Sequence, residues 1–252
     1  MRPSPRLFAL GLVLGVLIAA EVDAQPSPAL DAYLCLKGAP SRQVERSLRF
    51  APQPALAVRD RLIAAFSNTP AQLDLQKTVG FCLPAGAPGA ALVDGATHLE
   101  MYAARLTRLR PKQPRLVVEP QRVTNRFGSD ELLLTGIEDV LVPSAVVFAP
   151  PPLPVSVPAT LDDFTCYAAE RTAGLRSAPA APAPVTLASG IGTLQFDVRA
   201  PVRVCFPADL GGADPSVASH QNALACYRAK LARTKPLQPK LVSRQVATAN
   251  RF

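Results

Sequence analysis

Tryptophan is absent, and histidine and methionine occur only twice each among 252 residues. Metal chemistry therefore has little to work with. His98 and His220 are far apart in the chain, and no two cysteines have the Cys-x-x-Cys spacing of a zinc or redox motif. Catalytic signatures are missing as well: there is no Gly-x-Ser-x-Gly elbow, no phosphate loop, no His-Glu-x-x-His and no Ser-x-x-Lys. Gly190-Ile191-Gly192 is too short for a nucleotide fingerprint, and Glu138-Asp139 and Asp162-Asp163 read as solvated loop charges rather than an acid–base pair. No catalytic residue, metal or cofactor is nominated. Beyond residue 24 no apolar run approaches the length of a membrane-spanning helix.

What is present points to export. Arg2 and Arg6 precede an uncharged apolar run, Leu7–Ala20, and Val22-Asp23-Ala24 supplies small residues for cleavage before Gln25. Residues 1–24 are expected to be a signal peptide. No cysteine stands at the cleavage point, which argues against a lipid anchor. Removal takes away Arg2, Arg6, Glu21 and Asp23, so the net charge stays at +8. With 27 prolines and ten phenylalanines, the rest reads as short strands joined by proline-punctuated loops. A secreted location, extracellular or periplasmic, places the five cysteines where pairing is the default.

The chain repeats itself. Tyr102–Phe127 returns as Tyr227–Phe252 at a constant offset of 125 residues, with 12 of 26 positions identical. The identities include Tyr102/Tyr227, Gln113/Gln238 and Asn125-Arg126-Phe127/Asn250-Arg251-Phe252. Alignment on cysteines gives four units of about 60 residues, the last incomplete. Unit one opens with Tyr33-Leu34-Cys35 and closes with Phe81-Cys82-Leu83-Pro84; unit three has Thr165-Cys166-Tyr167 and Val204-Cys205-Phe206-Pro207. Unit two puts Met101 and Leu141 at those two places. Both cysteines vanish together, as a bonded pair would, so Cys35–Cys82 and Cys166–Cys205 are predicted disulfides. Their loops of 47 and 39 residues correspond to roughly 3–4 kcal/mol each in the chain-entropy model. Unit four has Ala225-Cys226-Tyr227, but a partner at about 226 + 39 = 265 would lie past Phe252. Cys226 is predicted to be an unpaired thiol, open to dimerisation with a second chain.

The unit centres also align. Val123–Gly128 matches Val58–Leu62 and Leu187–Gly192, and Asn, Asp or Ser ahead of Gly is turn chemistry. The residues after each turn, Glu131–Leu134, Leu73–Leu75 and Leu194–Val198, read as strands. Val58, Leu62 and Phe66 also have helical spacing, but the proline-rich flanks favour strands throughout. Odd units resemble odd: Gln72, Asp74 and Cys82 recur as Gln195, Asp197 and Cys205 at an offset of 123. The expected fold is all-β, with tandem small repeats pairing into two sandwich-like domains. The first double unit spans 25–147 (units 31–84 and 98–147), and a Pro-rich linker spans 148–160. The second spans 161–252 (units 161–208 and 221–252). Thr165–Tyr167, Ala225–Tyr227, Asn125–Gly128 and Cys205–Pro207 together resemble an uncharacterised family of tandem repeats in secreted bacterial proteins, over nearly all of 31–252. The resemblance implies export and repetition and no activity. Unit two departs from it by losing both cysteines.

Positive charge is the one functional signal. Arg105, Arg108, Arg110, Lys112 and Arg115 crowd unit two, and Arg228, Lys230, Arg233, Lys235 and Lys240 crowd the matching part of unit four. They are the candidate anion-binding residues, for an anionic polysaccharide, lipopolysaccharide or extracellular DNA. The expected function is a secreted, non-enzymatic binding or structural module at the cell surface or matrix. The alternatives are an extracellular hydrolase with a site between repeat halves, or a truncated copy without an independent role.

Overall fold

The computed structural model describes residues 30–39, 50–114, 120–148, 161–172, 184–212 and 214–252. The expected signal peptide and all but the first residue of the linker lie outside them. The chain is all-β, and the described residues form one antiparallel sheet of 11 strands. In order these are β1 (Ala32–Lys37), β2 (Gln53–Asp60), β3 (Ala71–Gly86), β4 (His98–Leu106), β5 (Gln121–Asn125) and β6 (Gly128–Val147). They continue with β7 (Asp163–Arg171), β8 (Val185–Ser189), β9 (Gly192–Leu210), β10 (Leu224–Leu231) and β11 (Ala247–Ala249). The described residues also hold a 3-10 turn at Pro215–Ser219 and one α-helix, α1 (Arg61–Phe66), which lies where helical spacing competes with the strand reading. Asp60 decides it: its carboxylate accepts from Ile63 N at 2.8 Å and caps the first turn.

Three long strands, β3, β6 and β9, organise the sheet, because each serves several partners along its length. β6 forms a hairpin with β5 at Gln121↔Leu132, pairs with β4 and β7 in its middle, and meets β11 at Ala247↔Val147. Bulges at Leu134/Gly136 and Ile137/Asp139 in the β6·β7 ladder insert extra residues and bend the strand between partners. The hairpins close through two residues at Asn125↔Gly128 and Ser189↔Gly192. Gly128 and Gly192 have φ of 118° and 113°, which a side chain at Cβ disfavours.

Sheet hydrogen bonds cross the boundary expected between two domains. β6 pairs with β7, β2 with β9 and β3 with β8. The pairings β2–β3–β4–β6–β7–β9–β2 return to their start, so the sheet is one closed circuit rather than two stacked sheets.

Cys35–Cys82 and Cys166–Cys205 are disulfides, each between residues directly opposite across antiparallel strands. Met101 and Leu141 face each other in the same way in β4·β6. Cys82, Leu141, Cys166 and Cys205 are buried in one apolar cluster with Leu99 and Phe164, and Met101 and Cys226 pack against it. The neighbouring residues Val140 and Val142 face the opposite way, into a cluster with Val58, Leu73, Leu75 and Tyr102. Both faces of the sheet are thus covered here, which is why Val140–Ser144 is buried without alternation.

The turns are tied to distant strands. Asn125 accepts from Phe127 N and donates from Nδ2 to the Tyr227 hydroxyl, both at 2.8 Å. Asn250 accepts from Phe252 N at 2.9 Å and donates to the Tyr102 hydroxyl at 2.7 Å. Asp60 accepts from the Tyr167 hydroxyl at 2.6 Å. Each turn residue lies more than 100 positions from its tyrosine. At the fourth place the turn carries Ser189 and the strand Leu36, so both polar partners are missing at once. Leu36 and Ile191 pack instead against Leu194 and Phe196.

Burial raises the Asp60 pKa from 3.8 to about 6, against the lowering effect of its hydrogen bonds to Ile63 and Tyr167. Between about pH 4 and 6 the folded chain holds this proton and the unfolded chain has lost it, so stability falls as pH rises through that window. The full cost, present above pH 6, is about 3 kcal/mol. Asp60→Asn keeps an acceptor for Ile63 and gains a donor for Tyr167, as in the two asparagine turns. The variant is expected to exceed the wild type in denaturant stability by about 1–3 kcal/mol at pH 8, with the gain shrinking toward pH 4. Equal stabilities at pH 8, or a pH-independent loss, would contradict this account.

Candidate binding site

The basic segments follow β4 and β10. Each strand ends at a leucine, Leu106 or Leu231, and the chain leaves through a loop containing a cis peptide, Arg110-Pro111 or Lys235-Pro236. A glutamine then clamps each loop to a long strand. Gln113 accepts from Gln72 N at 2.7 Å and donates to Gln72 O and Thr107 O, both at 2.9 Å. Gln238 accepts from Gln195 N at 2.9 Å and donates to Gln195 O at 2.9 Å and Ala232 O at 2.7 Å. One amide side chain thus supplies the strand edge with both halves of a missing ladder rung. Thr107 N and Ala232 N close the other side, on Gln72 O at 2.8 Å and Gln195 O at 2.9 Å.

The candidate basic residues divide by role. Arg105 Nε lies 3.3 Å from Asp74 Oδ2, and Lys230 Nζ lies 3.8 Å from Asp197 Oδ2. Each of these two cations therefore faces a matched carboxylate on the neighbouring strand. The Thr107 hydroxyl at 2.7 Å, with Ala55 N and Arg105, holds the Asp74 carboxyl below its ordinary range. Arg108, Arg110, Lys112, Arg228, Arg233, Lys235 and Lys240 are exposed, and none has a carboxylate partner among the described residues. Arg115 lies outside them. One basic loop is clamped to Gln72 of β3 and the other to Gln195 of β9, so they hang from different strands of the sheet.

The two histidines and the acidic pairs each have a partner in the fold. His220 Nδ1 is 2.8 Å from Asp162 Oδ2, and His98 Nδ1 is 2.8 Å from Ala96 O, with burial lowering the His98 pKa. Arg203 Nε donates to Glu138 at 2.9 Å and lies 2.8 Å from Asp139. Arg251 binds Asp163 at 2.5 Å, and burial nonetheless raises that carboxyl to about 7. Among the described residues no group of three or more His, Cys, Asp or Glu is placed to hold a metal ion. Cys226 is free and half-buried, its sulfur 3.8 Å from Cys205 Sγ, and burial pushes its thiol up to about 11. It is not an activated nucleophile.

Sequence reasoning overlooked a buried polar cluster. Asn250 Nδ2 reaches Glu100 Oε2 at 2.9 Å and Ser144 Oγ at 3.1 Å besides Tyr102, and Thr78 donates to Glu100 at 2.9 Å. The recurrence of Tyr102 and Asn250 at their partners' offsets was the available signal. Comparison with family models, curated proteins and solved structures finds no match to this chain.

The clamp predicts a local effect. Gln113→Ala removes three hydrogen bonds and leaves Gln72 N without its partner, so a loss of about 1–3 kcal/mol is expected in chemical denaturation. Limited trypsin digestion is expected to open new cuts after Arg108 and Lys112 while Arg233 stays protected. Gln238→Ala should reverse that pattern. Unchanged cleavage maps in both variants would show that the glutamines do not hold the loops.

Proposed function

We propose that the protein is a secreted, non-enzymatic tandem-repeat binding module, four units long, that presents two equivalent basic loops to an anionic polymer at the cell surface or in the matrix. The observation that carries this reading is the matched pair of glutamine-clamped loops, Thr107–Pro114 and Ala232–Pro239, each holding exposed cations on an ordered backbone. An ordered loop loses less conformational freedom on binding than a mobile one, which favours affinity. Two linked weak sites on one repetitive ligand gain avidity without new contacts. Charge of this kind binds polyanions with a steep salt dependence and little selectivity, so acidic polysaccharide, lipopolysaccharide phosphate and extracellular DNA are one ligand class here.

The test is elution from an immobilised polyanion such as heparin. Wild type is expected to be retained at low salt and released steeply as salt rises. Arg108, Arg110 and Lys112 changed together to Glu should lower the eluting salt, as should Arg233, Lys235 and Lys240. Both triples combined should abolish retention by more than the sum of the two. A wild type that flows through at low ionic strength would end the reading.

A further inference from the structure

Pairing runs without interruption through β1–β3–β4–β6–β7–β9–β10. Every strand inside this series has a neighbour on each side. β1 and β10, at its ends, each pair with one strand among the described residues. Their sequence counterparts show what a second neighbour does. In β7, the counterpart of β1, Phe164–Tyr167 are all buried, whereas in β1 only Leu34 is. In β4, the counterpart of β10, Leu99, Tyr102 and Ala104 are buried, whereas no residue of β10 is. Cys35 is exposed although bonded, while Cys166 is only 1% exposed.

The two ends nevertheless pack on common ground. Tyr33, Leu224 and Cys226 lie against one cluster, and Leu36 and Leu231 lie against another with Leu34 and Phe196. The edges of β1 and β10 thus flank the same apolar layer. Three facing pairs occupy the first cluster's layer or its rim: Cys35↔Cys82, Met101↔Leu141 and Cys166↔Cys205. Cys226 comes fourth and has no such partner; across β9 it meets Arg203. In the strand series the place facing it corresponds to that of Leu141, which β6 holds between Met101 of β4 and Phe164 of β7.

We propose that the edges of β1 and β10 accept between them an extended strand from another polypeptide, antiparallel to both, in the manner of β6 between β4 and β7. Two edges without a second strand partner among the described residues supply its main-chain hydrogen bonds, and the apolar layer reads alternate side chains. The fitting strand follows the pattern shared by Phe81-Cys82-Leu83-Pro84, Val140-Leu141-Val142-Pro143 and Val204-Cys205-Phe206-Pro207. A leucine in the second place packs as Leu141 does. A cysteine there bonds to Cys226: the two thiols give two protons and two electrons to glutathione disulfide, which leaves as two glutathione thiols. This stands apart from the polyanion reading, which concerns the loops after β4 and β10.

The test uses peptides of residues 128–147 carrying either Leu141→Cys or Val142→Cys, incubated with the full chain in a glutathione redox buffer. A one-residue displacement turns the thiol to the opposite face, so the Leu141→Cys peptide is expected to cross-link to Cys226 at least about tenfold faster than the Val142→Cys peptide. Peptide mass mapping reads the bond. In a Cys226→Ser chain, the unaltered 128–147 peptide is expected to raise the melting temperature and a scrambled peptide is not. Equal cross-linking by both cysteine peptides would mean a thiol reacting without a docked strand, and no cross-linking with no thermal shift would mean no acceptor. A stable dimer in sedimentation, unaffected by peptide, would assign the edges to a second copy. Each of these three results overturns the proposal.

Discussion

A hydrogen bond between a strand tyrosine and a turn Asn or Asp far away in the chain holds this architecture together. It joins residues more than 100 positions apart: 107 for Asp60 and Tyr167, 102 for Asn125 and Tyr227, and 148 for Asn250 and Tyr102. The same Asx side chain also satisfies a backbone N–H of its own turn, so local turn geometry and long-range docking depend on one group. An aromatic contact reinforces two of the three. Phe127 meets Tyr227 at 5.2 Å and Phe252 meets Tyr102 at 6.0 Å, both edge-on, a geometry that suits the ring quadrupoles. At the third, Arg61 lies over Phe206, 4.1 Å from the ring centroid, beside Tyr167.

Beneath these docked turns lies a layer in which sulfur and aliphatic side chains are interchangeable. The covalent pairs restrain the unfolded chain, and Met101 with Leu141 fills similar space by contact alone. Where two neighbouring strands flank it, the layer is closed to water; where one flank is open, it is exposed as at Cys35. The two cysteines Cys35 and Cys166 thus differ in burial with the number of strands that adjoin them.

Much of this was legible in the chain. Pairing of the cysteines followed from their joint loss in unit two, and the structure has both bonds. Each turn and the strand after it could be placed from Asn-Arg-Phe-Gly and Ser-Gly-Ile-Gly, because turn chemistry is local. Sheet order was not legible. Nothing in residues 98–147 says that β6 pairs with β7 across a proline-rich segment, since that choice depends on competition among several similar edges. Helix α1 was missed because a single capping carboxylate, Asp60, outweighed flanks rich in strand formers over only six residues. For the basic residues, number and exposure were evident, but the pairing of Arg105 and Lys230 with Asp74 and Asp197 was not. The four residues had been matched in sequence as separate recurrences; the structure brings them together in twos.

Because three of the turns lock onto a tyrosine more than 100 residues away, neither half of the molecule contains all the partners its own groups require. Tyr102 is completed by residue 250, and Tyr227 by residue 125. The exchange runs in both directions: Asp60 and Asn125 of the first half complete tyrosines of the second, and Asn250 of the second completes a tyrosine of the first, so neither half presents a finished set of polar partners without the other.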